Sequence, residues 1–86
     1  MITHHKPAGK RTLPGSFPTD TKTPYVVVLR NPERNLVNDK RCLKTLAEAK
    51  AFIGDTLAAG DEAEVWWLRA KHDGHEYFLW RVYKHG

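Results

Sequence analysis

The sequence predicts a small α+β domain: an antiparallel β-sheet in the order β-β-α-β-β, with one helix packed on one face. Three observations lead to this prediction. An apolar, β-branched run follows Pro24, a capped helical pattern begins after Thr45, and an Asp73-Gly74 turn separates two strand-like stretches. The 86 residues have the length of one domain, and 41% hydrophobic with 28% charged residues is typical of a globular chain.

The first two strands are predicted between Pro24 and the helix. Residues 25–30 are apolar at both odd and even positions, which is typical of a strand buried on both faces. Residues 31–35 (Asn-Pro-Glu-Arg-Asn) have turn chemistry, and a weaker strand at about 36–42 would pair with the first as a hairpin. Residues 38–41 fit a loop equally well, so the sequence leaves this second strand open.

The helix is predicted over residues 46–59. Thr45 and Glu48 have the spacing of a capping box, in which both side chains accept hydrogen bonds from free backbone N–H groups at the helix start. An apolar stripe at helical spacing consists of Leu46, Ala49, Phe52, Ile53 and Leu57. Gly60 occupies the position where a left-handed residue commonly ends a helix. The stripe should therefore face the sheet.

A C-terminal hairpin is predicted from Glu62 to Lys84, with Asp73-Gly74 as a two-residue type I′ turn. This register places His72 opposite His75 and divides the hairpin into two apolar faces. The face assigned to the helix contains Val65, Trp67, Phe78, Trp80 and Val82. The opposite face is expected to be exposed and contains Trp66, Leu68, Tyr77, Leu79, Arg81 and Tyr83.

The face opposite the helix is the predicted binding site. Aromatic residues with an arginine are enriched in the hot spots of protein interfaces, and they also form stacking platforms for single-stranded nucleic acids. A large apolar patch is seldom left bare on a monomer. Two alternatives are that the N-terminal segment covers this face through Leu13 and Phe17, or that a second copy of the chain does so.

Residues 1–23 are predicted to form a flexible basic arm that precedes a single domain at 24–86. The arm is rich in Pro, Gly and Thr and has no helix or strand period, so it is expected to be disordered or draped on the fold. Its four basic residues against one acidic residue give +3 of the net charge of +4. Candidate phosphate contacts are Lys6, Lys10, Arg11, Lys40, Arg41 and Lys44. The alternative is that the charges in the arm have no binding role and only keep the chain soluble.

Motifs for catalysis, metal binding or cofactor binding are not apparent. His72 and His75 flank the turn, but a tight metal site needs at least three protein ligands, and His85 is expected far along the strand. Cys42 lacks a local nucleophile motif and is expected to be a small core residue. There is no Gly-rich phosphate loop and no Ser–His–Asp pattern. We therefore expect a non-enzymatic protein without a metal, a cofactor or a small-molecule substrate.

These observations favour a non-enzymatic protein-binding module that acts through the exposed sheet face, with another protein or a second copy in a homodimer as its partner. By analogy alone, such chains resemble phage or mobile-element accessory proteins that inhibit a host nucleic-acid machine. The alternative is a nucleic-acid-binding domain that uses the basic arm and the Arg81 platform.

Composition also bears on where the chain is expected to function. No apolar run approaches the roughly 18 residues of a membrane span. The N-terminus lacks the apolar stretch of a signal peptide. The single cysteine suits a reducing compartment. A cytoplasmic location without membrane contact is therefore expected.

Overall fold

The computed structural model describes residues 1–7, 13, 17 and 20–86. In chain order the elements are β1 (Ile2–His5), β2 (Tyr25–Asn31), β3 (Leu36–Leu43), α1 (Leu46–Thr56), β4 (Glu62–Lys71) and β5 (Gly74–His85). The strands form one antiparallel sheet in the order β1-β5-β4-β2-β3. The predicted α+β class and the order β-β-α-β-β are confirmed, and β1 is added in front.

Strand β1 is the element that the sequence did not reveal. It pairs with the C-terminal end of β5, with Ile2 opposite His85 and His5 opposite Val82. Its four residues carry one sizeable apolar side chain, Ile2, so no alternating pattern can be detected. Ile2 packs against the core on the helix side of the sheet. The arm predicted over residues 1–23 therefore begins with an edge strand.

Strand β2 is an interior strand and lies between β4 and β3. Val26, Val27 and Val28 have no exposed surface, which confirms the strand buried on both faces. The second strand, which the sequence left open, forms as β3 over Leu36–Leu43. The connecting turn contains Asn35 at φ 54°, a left-handed conformation that asparagine tolerates better than most residues.

Helix α1 begins as predicted and ends earlier. The Thr45 hydroxyl accepts a hydrogen bond from the Glu48 N–H at 3.1 Å. The Glu48 carboxylate accepts from the Lys44 N–H at 3.1 Å, one residue before the donor that a capping box would use. The helix ends at Thr56 because Leu57 takes an extended backbone (φ −72°, ψ 115°). That side chain, the last of the apolar stripe, is buried in the core.

The β4–β5 hairpin forms, but its predicted register is wrong. His75 lies opposite Ala70 rather than His72, and Lys71 lies opposite Gly74, so the loop residues are His72 and Asp73. Only Gly74 has a positive φ (143°) in this turn, whereas a type I′ turn needs positive φ at both central residues. The pairing is thus displaced by two residues near the turn, and a β-bulge between Val65 and Trp66 takes back one of them.

The bulge changes which side of the sheet the end of β5 faces. Beyond it, Val82 lies opposite Glu64 and Tyr83 lies opposite Ala63. Because successive residues of a strand point to opposite faces, a shift of one residue exchanges the two faces. Val82 consequently packs in the core away from the helix, and Tyr83 packs beneath the helix, the reverse of the prediction.

Two hydrophobic cores lie on the two sides of the sheet. The core beneath α1 consists of Val27, Leu29, Ala49, Phe52, Ile53, Leu57, Ala63, Val65 and Tyr83. The core on the other side consists of Val26, Val28, Trp66, Leu79 and Val82, with Leu13, Phe17, Cys42 and Tyr77 packed against it. Leu13 and Phe17 therefore cover the second face, as one of the three alternatives anticipates. Among the described residues, no helix has the length and apolar character needed to cross a membrane.

Candidate binding surface beside the helix

The predicted binding face is largely buried, so the expectation that it is open is wrong. Four of its six residues are at most 8% exposed: Trp66, Leu68, Leu79 and Tyr83. Tyr77 and Arg81 are half-buried. For the residues that stay on this face, the physical reason is contact with the N-terminal segment, because the Phe17 ring meets the Tyr77 ring edge-on at a centroid distance of 6.3 Å. Arg81 is on the helix side of the sheet instead, because beyond the bulge it lies opposite Val65 and over the Trp80 ring. Tyr83 is buried for a different reason, since the bulge turns it toward the helix.

The exposed aromatic surface lies on the helix side of the sheet instead. Trp67 and Phe78, which the sequence assigned to the helix-covered face, are 39% and 41% exposed. They lie directly opposite each other on β4 and β5, and Tyr25 lies opposite Trp67 on β2. Trp80 packs beside them and is half-buried. We call Tyr25, Trp67, Phe78 and Trp80 the aromatic shelf.

The shelf is open because α1 is too short to cover it. The 11 residues of α1 span about 16 Å, whereas the 10 residues of β4 span about 33 Å. The helix covers the half of the sheet around Val65 and Ala63. The part of the sheet beyond Leu46, at the start of the helix, carries the shelf. The difference in length between the predicted helix and the predicted hairpin strands was the sequence signal that could have revealed this surface.

Trp80 lines two depressions. The first has a volume of about 220 Å³ and is lined by Tyr25, Leu46, Trp67 and Trp80. The second has a volume of about 370 Å³ and is lined by Lys6, Pro7, Phe78, Leu79, Trp80 and Arg81. The first depression is therefore apolar and mostly aromatic, and the second combines aromatic rings with two cationic side chains.

Two arginines are stacked on rings of the shelf. The guanidinium carbon of Arg69 lies 4.6 Å from the centroid of the Phe78 ring, and that of Arg81 lies 4.5 Å from the Trp80 ring. Such contacts are attractive because the ring faces carry partial negative charge. Arg69 also donates two hydrogen bonds to Glu76 Oε1, at 3.0 and 2.7 Å. Arg81 donates from Nη1 to the Trp80 carbonyl at 2.9 Å.

The charge around the shelf is net positive. Lys6 and Arg81 line the second depression. Arg69 and Lys71 form ion pairs with Glu76, the one anion in this group of described residues. The hydrogen bonds from Arg69 and then Lys71 lower the pKa of Glu76, so this carboxylate is ionised at neutral pH. An anionic ligand is therefore favoured at the shelf over a cationic one.

The basic residues predicted to contact phosphates do not form one patch. Lys40 Nζ lies 5.3 Å from the Phe17 ring, whereas the Arg41 guanidinium lies 4.5 Å from the Phe52 ring. Phe17 and Phe52 belong to cores on opposite sides of the sheet, so Lys40 and Arg41 point apart.

The remaining predicted cations are divided between the shelf and other regions. Lys6 follows β1 and lines the second depression. Lys44 is exposed just before the helix. Lys10 and Arg11 lie outside the described residues. Lys6 is therefore the one member of the predicted set that a described contact places at the shelf.

Cys42 and the turn histidines add no reactive site among the described residues. Burial, reinforced by the negative charge of Asp20, raises the pKa of the Cys42 thiol, which keeps it protonated at neutral pH. The corrected register means that His72 and His75 are not cross-strand partners. In the described part of the chain, no group of three potential ligands among His, Cys, Asp and Glu could hold a metal ion.

Comparison of the chain with protein-family models, with curated proteins and with solved structures finds no match. The functional inference therefore rests on the geometry and charge of the shelf.

Proposed function

We propose that the protein is a non-enzymatic binding module whose contact surface is the aromatic shelf. The observation that carries the proposal is the pair Trp67 and Phe78, which are 39% and 41% exposed on adjacent strands. A ligand that covers two such rings removes a large apolar area from water. Exposed aromatic clusters with polar surroundings commonly mark interaction sites.

The shelf is held by elements that would move little on binding. Trp67 and Phe78 are a cross-strand pair in the hairpin, and Trp80 packs against the core beneath the helix. Arg69 and Arg81 are already stacked on Phe78 and Trp80. Because these side chains are ordered before a ligand arrives, less conformational entropy is lost on binding. Trp and Arg are also the residues most enriched in binding hot spots.

The chemistry of the two depressions suits a surface that binds by shape and charge. Their described lining residues include aromatic, aliphatic and cationic side chains and no nucleophile paired with a base. Both partner classes expected from the sequence, a protein and a nucleic acid, are compatible with such a lining. The proposal therefore keeps the predicted kind of function and moves it to the other side of the sheet.

The proposal can be tested by site-specific photo-crosslinking. A benzophenone-bearing phenylalanine analogue placed at Phe78 should form adducts of defined mass in an extract of the source cells. The matched control places the same group at Leu36, an exposed apolar residue at the start of β3, which does not line the shelf. Adducts at position 78 that are absent at position 36 are expected. Equal labelling at both positions, or none at position 78, would contradict the proposal.

A further inference from the structure

We propose that the aromatic shelf binds single-stranded nucleic acid, with bases stacked in the two depressions beside Trp80 and phosphates next to Lys6 and Arg81. The inference rests on the proposed function, because it assigns a ligand class to the same surface. The second depression combines Phe78 and Trp80 with these two cations. A ligand that fills it well carries planar rings and anionic groups close together, as a nucleotide does.

The stacked arginines strengthen this assignment. The guanidinium groups of Arg69 and Arg81 lie over shelf rings, and bases stack on arginine planes as well as on aromatic rings. Arg81 has five N–H donors and uses Nη1 for the Trp80 carbonyl. Its remaining donors suit the oxygens of a phosphate, which arginine recognises in a fork geometry.

The shape of the surface favours a single strand over a duplex. Tyr25, Trp67 and Phe78 form a row across three adjacent strands, so the shelf is a shallow surface on the sheet. Reading a duplex from its grooves requires a helix or a β-ribbon that enters the groove. Single strands instead present the faces of their bases, which stack on exposed aromatic side chains with little sequence preference.

The net positive charge favours a polyanion. Lys6 and Arg81 line the second depression, whereas Arg69 and Lys71 share the one carboxylate of Glu76. An acidic protein would satisfy the same charge but would supply few planar groups for the two depressions. A protein partner is therefore the competing outcome of the experiment.

The test measures fluorescence anisotropy of a labelled oligothymidylate of about 12 nucleotides, and of its duplex with oligoadenylate. Trp67→Ala and Phe78→Ala should each weaken single-strand binding about 5- to 150-fold. Leu36→Ala, which removes an exposed apolar side chain elsewhere, should leave it unchanged. Duplex binding should not respond to Trp67→Ala.

Salt dependence separates the phosphate contacts from the stacking. Two phosphate contacts should weaken single-strand binding about sevenfold between roughly 50 and 200 mM salt. Arg81→Gln should make the negative slope of log K against log salt shallower by about 0.7. Trp67→Phe should keep most of the binding and the same slope. Circular dichroism of Trp67→Ala shows whether its loss of binding is caused by unfolding.

Three results would overturn the inference. If the oligonucleotide does not bind at low salt while crosslinking at Phe78 captures a protein, the binding surface is correct and the ligand class is wrong. If binding survives Trp67→Ala but is lost in a Lys10→Gln and Arg11→Gln double variant, the arm rather than the shelf contacts the nucleic acid. If neither the oligonucleotide binds nor position 78 crosslinks, the proposed function fails as well.

Discussion

At the scale of single residues, Trp66 and Trp67 show how adjacent side chains on one strand enter different environments. Trp66 is 2% exposed, and its indole N–H has no hydrogen-bond partner in the part of the chain that the structure describes. Trp67 points to the other face and is 39% exposed. The alternation of a strand makes this separation certain from the sequence, but not which of the two is open.

The exposure of the three tryptophans predicts their fluorescence. Iodide should quench the wild-type protein mainly through Trp67, so Trp67→Phe should remove most of the quenchable emission. Trp66→Phe is the matched control, and it should leave the quenchable fraction nearly unchanged because Trp66 is buried. A Stern–Volmer measurement on both variants gives the fraction of the emission that iodide quenches. A larger loss of quenching in Trp66→Phe would mean that the predicted open face is the exposed one after all.

At the scale of elements, prediction succeeds where a short local signal fixes the geometry. The Thr45 cap and the apolar stripe that follows it place the helix start correctly. The helix end is missed because Leu57 continues the apolar stripe by spacing and yet has an extended backbone. The hairpin register is missed because the Asp73-Gly74 signal does not exclude a loop at His72 and Asp73. The bulge beside Val65 has no sequence signal that we recognise.

Two glycines provide a matched test of the local backbone. Gly74 has φ 143°, which side-chain-bearing residues rarely adopt, so Gly74→Ala should destabilise the fold by about 1–3 kcal/mol. Gly54 lies within α1 with open space around the position of a Cβ atom. Gly54→Ala should therefore stabilise the fold by up to about 1 kcal/mol.

Denaturant unfolding of the two glycine variants measures both changes. Opposite signs are expected for the same chemical change, since both substitutions add one methyl group. If Gly74→Ala is neutral, the turn does not have the conformation described.

At the scale of the whole molecule, a sheet with one helix has two faces to cover. The sequence predicts a single helix and a hairpin that is apolar on both faces. The sequence does not show which segment covers which face, because that depends on the relative lengths of the elements and on contacts between distant parts of the chain. Leu13 and Phe17 cover one face, and α1 covers only part of the other. The fold class was therefore predictable, whereas the location of the open aromatic surface was not.

Removing the cover of the second face should weaken the whole fold. Phe17→Ala is expected to lower the free energy of unfolding by about 1–2 kcal/mol, less than for a fully buried phenylalanine because Phe17 is half-buried. The same variant should make Trp66 more accessible to iodide. Phe78→Ala is the control, since this equally large side chain is 41% exposed and should change stability less. A neutral Phe17→Ala would mean that other contacts hold this face closed.

The pairing of β1 with β5 also brings the two ends of the described chain together. The Gly86 N–H donates to the Met1 carbonyl at 3.2 Å. A short covalent link between these ends would close the backbone into a ring without displacing a strand. Opening that ring in the exposed turn at residues 32–34 would give a circular permutant with the same sheet. Its new ends would lie next to β2 and β3, away from β5, where Phe78 and Trp80 lie.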